Sequence, residues 1–92
     1  MEIETFIKNF NILIQTDTFQ EFEFYLFGSS LLNKKYIDID ILIIYNDFNN
    51  LKKVKEKIIE EFNHSLVHIT SLTIFEEIEL GFIKKVNAKK IE

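Results

Sequence analysis

Apolar residues recur at three- and four-residue spacing at the start of the chain: Ile3, Phe6, Ile7, Phe10, Leu13 and Ile14. That is the period of one helix face, so the pattern predicts an amphipathic helix over residues 2–15. Glu2 and Glu4 fall in its first turn, where the helix dipole favours negative charge. Thr16-Asp17-Thr18 interrupts the pattern with polar residues. Residues 22–27 begin alternating and finish apolar, which predicts a strand running into the core, and Gly28 permits a sharp turn at its end. Residues 36–45, Tyr-Ile-Asp-Ile-Asp-Ile-Leu-Ile-Ile-Tyr, carry the strongest strand pattern. Its second half is apolar at successive positions, as in a central strand covered on both faces.

Beyond the turn at residues 46–50, Leu51, Val54, Ile58, Ile59 and Phe62 mark the inner face of a second helix. Its lysines and glutamates are expected to face water, with Lys57 and Glu61 spaced as an i,i+4 pair. Asn63-His64-Ser65 ends it, and residues 66–72 predict a third strand. Thr73 and Glu76 have the spacing of a capping box. A last helix then runs through Ile74, Ile78, Phe82 and Val86, strained or broken near Gly81. The expected fold is a small α/β (α+β) domain over residues 1–92. A mixed β-sheet is flanked by helices in the order α-β-β-α-β-α.

Length sharpens this picture. A chain of 92 residues buries roughly 60–65% of its unfolded surface, so a dense core or an oligomeric partner is expected. Ten phenylalanines fit either a tight core or an interface between copies. The absence of cysteine excludes disulfides and thiolate metal sites. No apolar run is long enough for a membrane helix, and Met1-Glu2-Ile3-Glu4 does not resemble a signal peptide, so the expected location is cytoplasmic. The formal charge is −4 and every basic residue apart from the histidines is lysine. Without arginine the chain lacks the best bidentate reader of phosphates and guanine edges, which argues against nucleic acid as a partner.

Asp38 and Asp40 are the anomaly. Residues two apart on a strand point to one face, about 6.6 Å apart along it. Two carboxylates on one face of an otherwise apolar strand repel each other, and burying them is costly. Either they sit in solvent at a frayed strand end, or a divalent cation such as Mg2+ draws them together. The preceding Gly28-Ser29 ends a strand, and Ser29-Ser30-Leu31-Leu32 has the composition of a short helix start, an arrangement that offers backbone amides to a phosphate. Lys34 and Lys35 lie between the two motifs and are read as ordinary solvated loop lysines.

Phe27-Gly28-Ser29, eight residues, then Asp38-Ile39-Asp40-Ile41-Leu42-Ile43-Ile44 resembles the core motif of DNA polymerase beta-like nucleotidyltransferases. The likeness is nearest to the minimal nucleotidyltransferases, small proteins often paired with HEPN-domain partners in toxin–antitoxin modules. The resemblance implies that Gly28 and Ser29 hold the triphosphate of ATP or another nucleoside triphosphate. It implies that Asp38 and Asp40 bind Mg2+ and align the α-phosphate for attack by an acceptor hydroxyl. A hydroxyl on a partner protein, such as a HEPN-type toxin, would suit so small a catalyst, and a homo-oligomer is compatible with it.

This chain also departs from the family pattern. Its spacer is shorter than in most minimal members, and it lacks their usual arginine and the serine before the first aspartate. Active members place a third carboxylate on a later strand, and here His68 stands at that position in Leu66-Val67-His68-Ile69-Thr70. Alternation puts Leu66, His68 and Thr70 on one face. Histidine can accept a proton at neutral pH or ligate manganese or zinc, and it can equally pair with Asp38 or Asp40 in place of a metal. Three readings stay open on sequence alone. They are a metal-dependent nucleotidyltransferase using Asp38, Asp40 and His68, a catalytically degenerate antitoxin-like binding module, and an unrelated α/β protein.

Overall fold

The amphipathic period at the start of the chain becomes helix α1 (Ile3–Leu13), with Ile3, Phe6, Phe10 and Leu13 on its buried face. A computed structural model describes residues 3–28, 38–63 and 66–92. A 3₁₀ turn (Asp17–Glu21) leads into strand β1 (Glu23–Phe27). Strand β2 (Asp38–Tyr45) is followed by a 3₁₀ turn (Phe48–Asn50) and helix α2 (Leu51–Glu61). Strand β3 (Leu66–Thr73) runs directly into helix α3 (Ile74–Leu80), then helix α4 (Phe82–Val86) and a two-residue strand β4 (Lys89–Lys90). The expected order α-β-β-α-β-α is present, extended by the short β4. Tyr36, Ile37 and the short helix expected at Ser29–Leu32 lie outside the described residues.

The four strands form one mixed sheet in the order β3-β2-β1-β4. β1 is antiparallel to β2 and β2 is parallel to β3. A parallel neighbour requires a crossover, and α2 supplies it. β2 is therefore central, and its apolar half is covered on both faces as its composition predicts. Ile39, Ile41 and Ile43 pack into one cluster with α1 and α2, while Leu42 and Ile44 join Leu72 in a second cluster on the opposite face.

The phenylalanines resolve into three groups. Phe6, Phe10, Phe19, Phe22, Phe24 and Phe62 all belong to the larger core cluster. Their rings connect α1, the first 3₁₀ turn, β1 and the residue that ends α2, with Phe6–Phe62 centroids 4.6 Å apart and Phe10–Phe24 5.2 Å apart. Separations in this range favour tilted and edge-on aromatic packing. Phe27 and Phe82 meet edge-on on the other sheet face at 5.2 Å. Phe48 and Phe75 stand exposed. Most of the aromatic content therefore serves a small core.

The last helical segment departs from the single face expected for it. The Thr73 capping box is present: Glu76 N donates to Thr73 Oγ1 at 3.1 Å, and Thr73 N donates to Glu76 Oε1 at 2.8 Å. Gly81 then adopts a left-handed φ of +59°, which ends α3 and starts α4 on a new axis. The Glu77 carboxylate accepts from the amides of Phe82 and Ile83 at 3.1 Å each, tying the two pieces together. Because the break resets the phase, Phe82 packs inward while Ile78 is 73% exposed. Ile59, expected on the inner face of α2, is likewise exposed.

Replacing the buried Ile41 with Ala is expected to cost about 2–5 kcal/mol in urea unfolding, whereas Ile78→Ala should stay within about 0.5 kcal/mol. Equal losses at the two positions would contradict the placement of α3.

Candidate functional site

The face of the sheet opposite α1 and α2 is arranged in rows across three strands. Asp40 lies opposite Phe27 on β1 and His68 on β3. Beside it, Asp38 pairs with Leu66 at the start of both strands. The next rows inward are Tyr25–Leu42–Thr70 and Glu23–Ile44–Leu72. Paired positions on neighbouring strands project to the same side. Asp38, Asp40 and His68 therefore share one face at the open end of β2, and the apolar rows lead away from them beneath α3 and α4.

Gly28 closes this end of the sheet. It has a φ of +84°, in the region that favours glycine. A Cβ built on Gly28 would overlap the Asp40 carboxylate, whose Oδ2 lies against the position that a side chain would occupy. The glycine is thus required twice, once by its backbone conformation and once by the carboxylate packed on it. This contact places Gly28 and Asp40 together on the same side of the sheet. Ser29, Lys34, Lys35 and His64 lie outside the described residues.

The His68 Nε2 is 4.0 Å from Asp38 Oδ2, with the two side chains 55% and 46% exposed. That separation is too long for a hydrogen bond and lies at the outer reach of an ion pair. Asp40 is partly buried between Phe27 and His68. The arrangement offers two accessible hard-oxygen donors, with an imidazole alongside them. Among the described residues no group of three or more Asp, Glu or His side chains converges in metal-binding geometry. Such a two-carboxylate set does not satisfy zinc, which takes three or four protein ligands. It does suit magnesium, which takes one or two carboxylates and completes its shell with water and phosphate oxygens.

Two features of this face were not legible in the sequence. Phe82 comes from α4 to stack edge-on against Phe27, so an aromatic wall stands one strand away from Asp40. β4 runs antiparallel to β1 and brings Lys90 Nζ to 3.8 Å from Glu23 Oε1. The same Glu23 Oε1 accepts a hydrogen bond from the Tyr25 hydroxyl at 3.0 Å. Two residues of strand give no readable period. The edge-on pair depends on the turn at Gly81, and the signal available was Gly81 itself followed by Phe82.

Burial pushes the Tyr25 phenol up from 10.0 to about 12, and its hydrogen bond to Glu23 and the charges of Glu23, Glu77 and Glu92 act in the same direction. Between pH 10 and about 12 the unfolded chain loses this proton while the folded chain keeps it. The native state then binds more protons, so stability falls as pH rises through that window. An absorbance titration of the tyrosinate band should show an ionisation near pH 12 that Tyr25→Phe removes. A second outcome concerns the glycine. Gly28→Ala is expected to cost about 1–3 kcal/mol from the left-handed backbone alone, with a further loss from displacement of Asp40, measured by thermal or urea unfolding.

The family model described as nucleotidyltransferase domain matches residues 10–92. No curated protein and no solved structure matches the chain.

Proposed function

We propose that this chain, which belongs to the nucleotidyltransferase domain family, transfers a nucleoside monophosphate from a nucleoside triphosphate to an acceptor hydroxyl. Nucleotidyl transfer is the activity of the family. The divalent metal, the residues and the acceptor are our assignment. The observation that carries it is the packing of the Asp40 carboxylate against the Cα of Gly28, with Asp38 on the same face. The missing Cβ lets the Asp40 carboxylate lie against the backbone at a strand end, so a cation held by the aspartates would meet a phosphate bound by the amides of Gly28 and Ser29.

In this reading Asp38 and Asp40 hold Mg2+, Gly28 and Ser29 cradle the triphosphate tail of ATP or a related nucleotide, and Phe27 with Phe82 forms an apolar wall beside it. A divalent cation held there would supply charge neutralisation at the α-phosphate and at the departing pyrophosphate. The protein's own contribution is orientation. The antiparallel pairing of β1 with β2 fixes the glycine against the carboxylate, and the parallel pairing of β2 with β3 brings His68 alongside. His68 is then the chain's group for accepting the acceptor's proton. We assign the acceptor to a partner protein, since a chain without arginine is poorly equipped to read a nucleic acid.

One observation favours a second reading. His68 stands exposed at the position of the expected third carboxylate, 4.0 Å from Asp38, and brings a cation-forming group where the family uses an anion. On this reading the domain binds a nucleotide or a partner of the HEPN type without transferring anything, as an antitoxin-like module.

Titration with ATP and Mg2+ tests the first reading. Asp38→Asn combined with Asp40→Asn should weaken metal-dependent binding by about tenfold or more, equivalent to about 1.4 kcal/mol. Absence of magnesium-dependent nucleotide binding by the native chain would sink it. His68→Asp separates the two readings. A drop in nucleotide transfer makes His68 a working residue, and the appearance of transfer only in the variant makes the native domain a degenerate enzyme.

A further inference from the structure

The sheet has two edges, and they are built differently. β4, at one end, is two residues long, and both are lysine. Short length and lysine are two of the devices by which sheets discourage pairing with another chain. β3, at the other end, is eight residues long and reads Leu-Val-His-Ile-Thr-Ser-Leu-Thr. It contains no lysine, no carboxylate and no proline, and His68 is its sole ionisable side chain. It pairs with β2 residue for residue from Leu66 to Thr73, so no bulge turns it away. Among the described residues no strand pairs with its outer side. The edge carries none of the guards present on β4.

The surroundings of this edge are apolar as well. A cleft of about 250 Å³ opens where the end of α2 meets the start of β3, lined by Ile59, Phe62, Asn63, Leu66 and Val67. Ile59 is 55% exposed and Leu66 is 53% exposed. An open strand beside an apolar cleft is the arrangement used for strand addition, with main-chain hydrogen bonds giving affinity and alternate side chains filling pockets.

The charge pattern of α2 selects the occupant. Its first seven residues carry Lys52, Lys53, Lys55 and Lys57 against one acid, Glu56, and its last two are Glu60 and Glu61. A two-fold axis through the β3 edge reverses the direction of α2 in the second copy. On the stripe that carries Ile59, Lys52 and Lys55 of one helix then approach Glu56 of the other, twice over, whereas Lys53 and Lys57 face Thr16 and Phe19 on the far flank. The strands themselves bring no lysine or carboxylate into opposition. We propose that β3 pairs antiparallel with β3 of a second copy, joining two sheets into one across a two-fold axis, with Ile59 and Leu66 of both copies buried at the seam. An interface of this type is isologous, each surface meeting its own copy.

Sedimentation or light scattering of the full chain, at about 100 µM so that mass action favours assembly, provides the test. The expected mass is twice that of the 11.0 kDa chain. Leu66→Lys and Ile59→Lys should each shift the population to the monomer with an unchanged far-ultraviolet spectrum, since both side chains are already more than half exposed. Phe48→Lys, at an exposed position in the turn before α2, should leave the dimer intact. Hydrogen exchange should show slow amides on the outer side of β3 in the native chain and fast ones in Leu66→Lys. A monomer at that concentration overturns the proposal, including the case in which the edge captures a strand from a different protein. So does a dimer that survives both edge variants and dissociates in Phe75→Lys, because its interface would then be α3.

Discussion

Everything in this molecule hangs on β2 having a strand on each side and a layer on each face. Its backbone is paired antiparallel to β1 and parallel to β3, and its last residues are enclosed by two separate apolar clusters. A strand held on all four sides cannot slip by one residue without turning its apolar positions to the wrong clusters and its aspartates into the core. That rigidity is what gives Asp38 and Asp40 a fixed direction. The carboxylates emerge at the end of the strand where cover stops, so the fold avoids burying like charges and still presents them from a stiff support.

Much of the scaffold was legible in the alternation of apolar and polar residues. The central strand, the crossover helix and the capped start of α3 follow from local pattern, because each is settled by residues within one or two turns of itself. Ile78 and Ile59 show where pattern fails. Ile78 keeps helical spacing with Ile74, but a left-handed glycine between Leu80 and Phe82 changes which side of the segment meets the sheet. Ile59 has an inward-looking spacing on α2, yet the sheet ends at β3 and leaves it more than half exposed at the rim of the cleft beside Phe62 and Leu66. The phenylalanines were ambiguous for the same reason. Composition could not tell six core rings from the two exposed ones.

For the candidate site, alternation in the sequence put Asp38 with Asp40 on one face of β2 and the resemblance put His68 at the third position, while the common face of all three comes from the strand register. It could not provide the contact between Gly28 and Asp40, which joins residues twelve apart through strand pairing. Nor could it place Phe82 beside Phe27. These tertiary contacts are the ones that turn a motif into a shaped surface. The family match over residues 10–92 and the geometry at Gly28 therefore support the same assignment from different directions.

The difference between the two sheet edges also sets a limit on growth. A strand edge that accepts its own copy head-to-tail could propagate without end, which is the route to fibres. The proposed two-fold union would consume the open edge of both molecules at once. What remains at either extremity is the lysine pair of β4. Two residues of strand give a third molecule little to pair with, so the association would stop at a closed unit. Lys89 and Lys90, too short a stretch to add much to the core, would then act as terminators of the joined sheet.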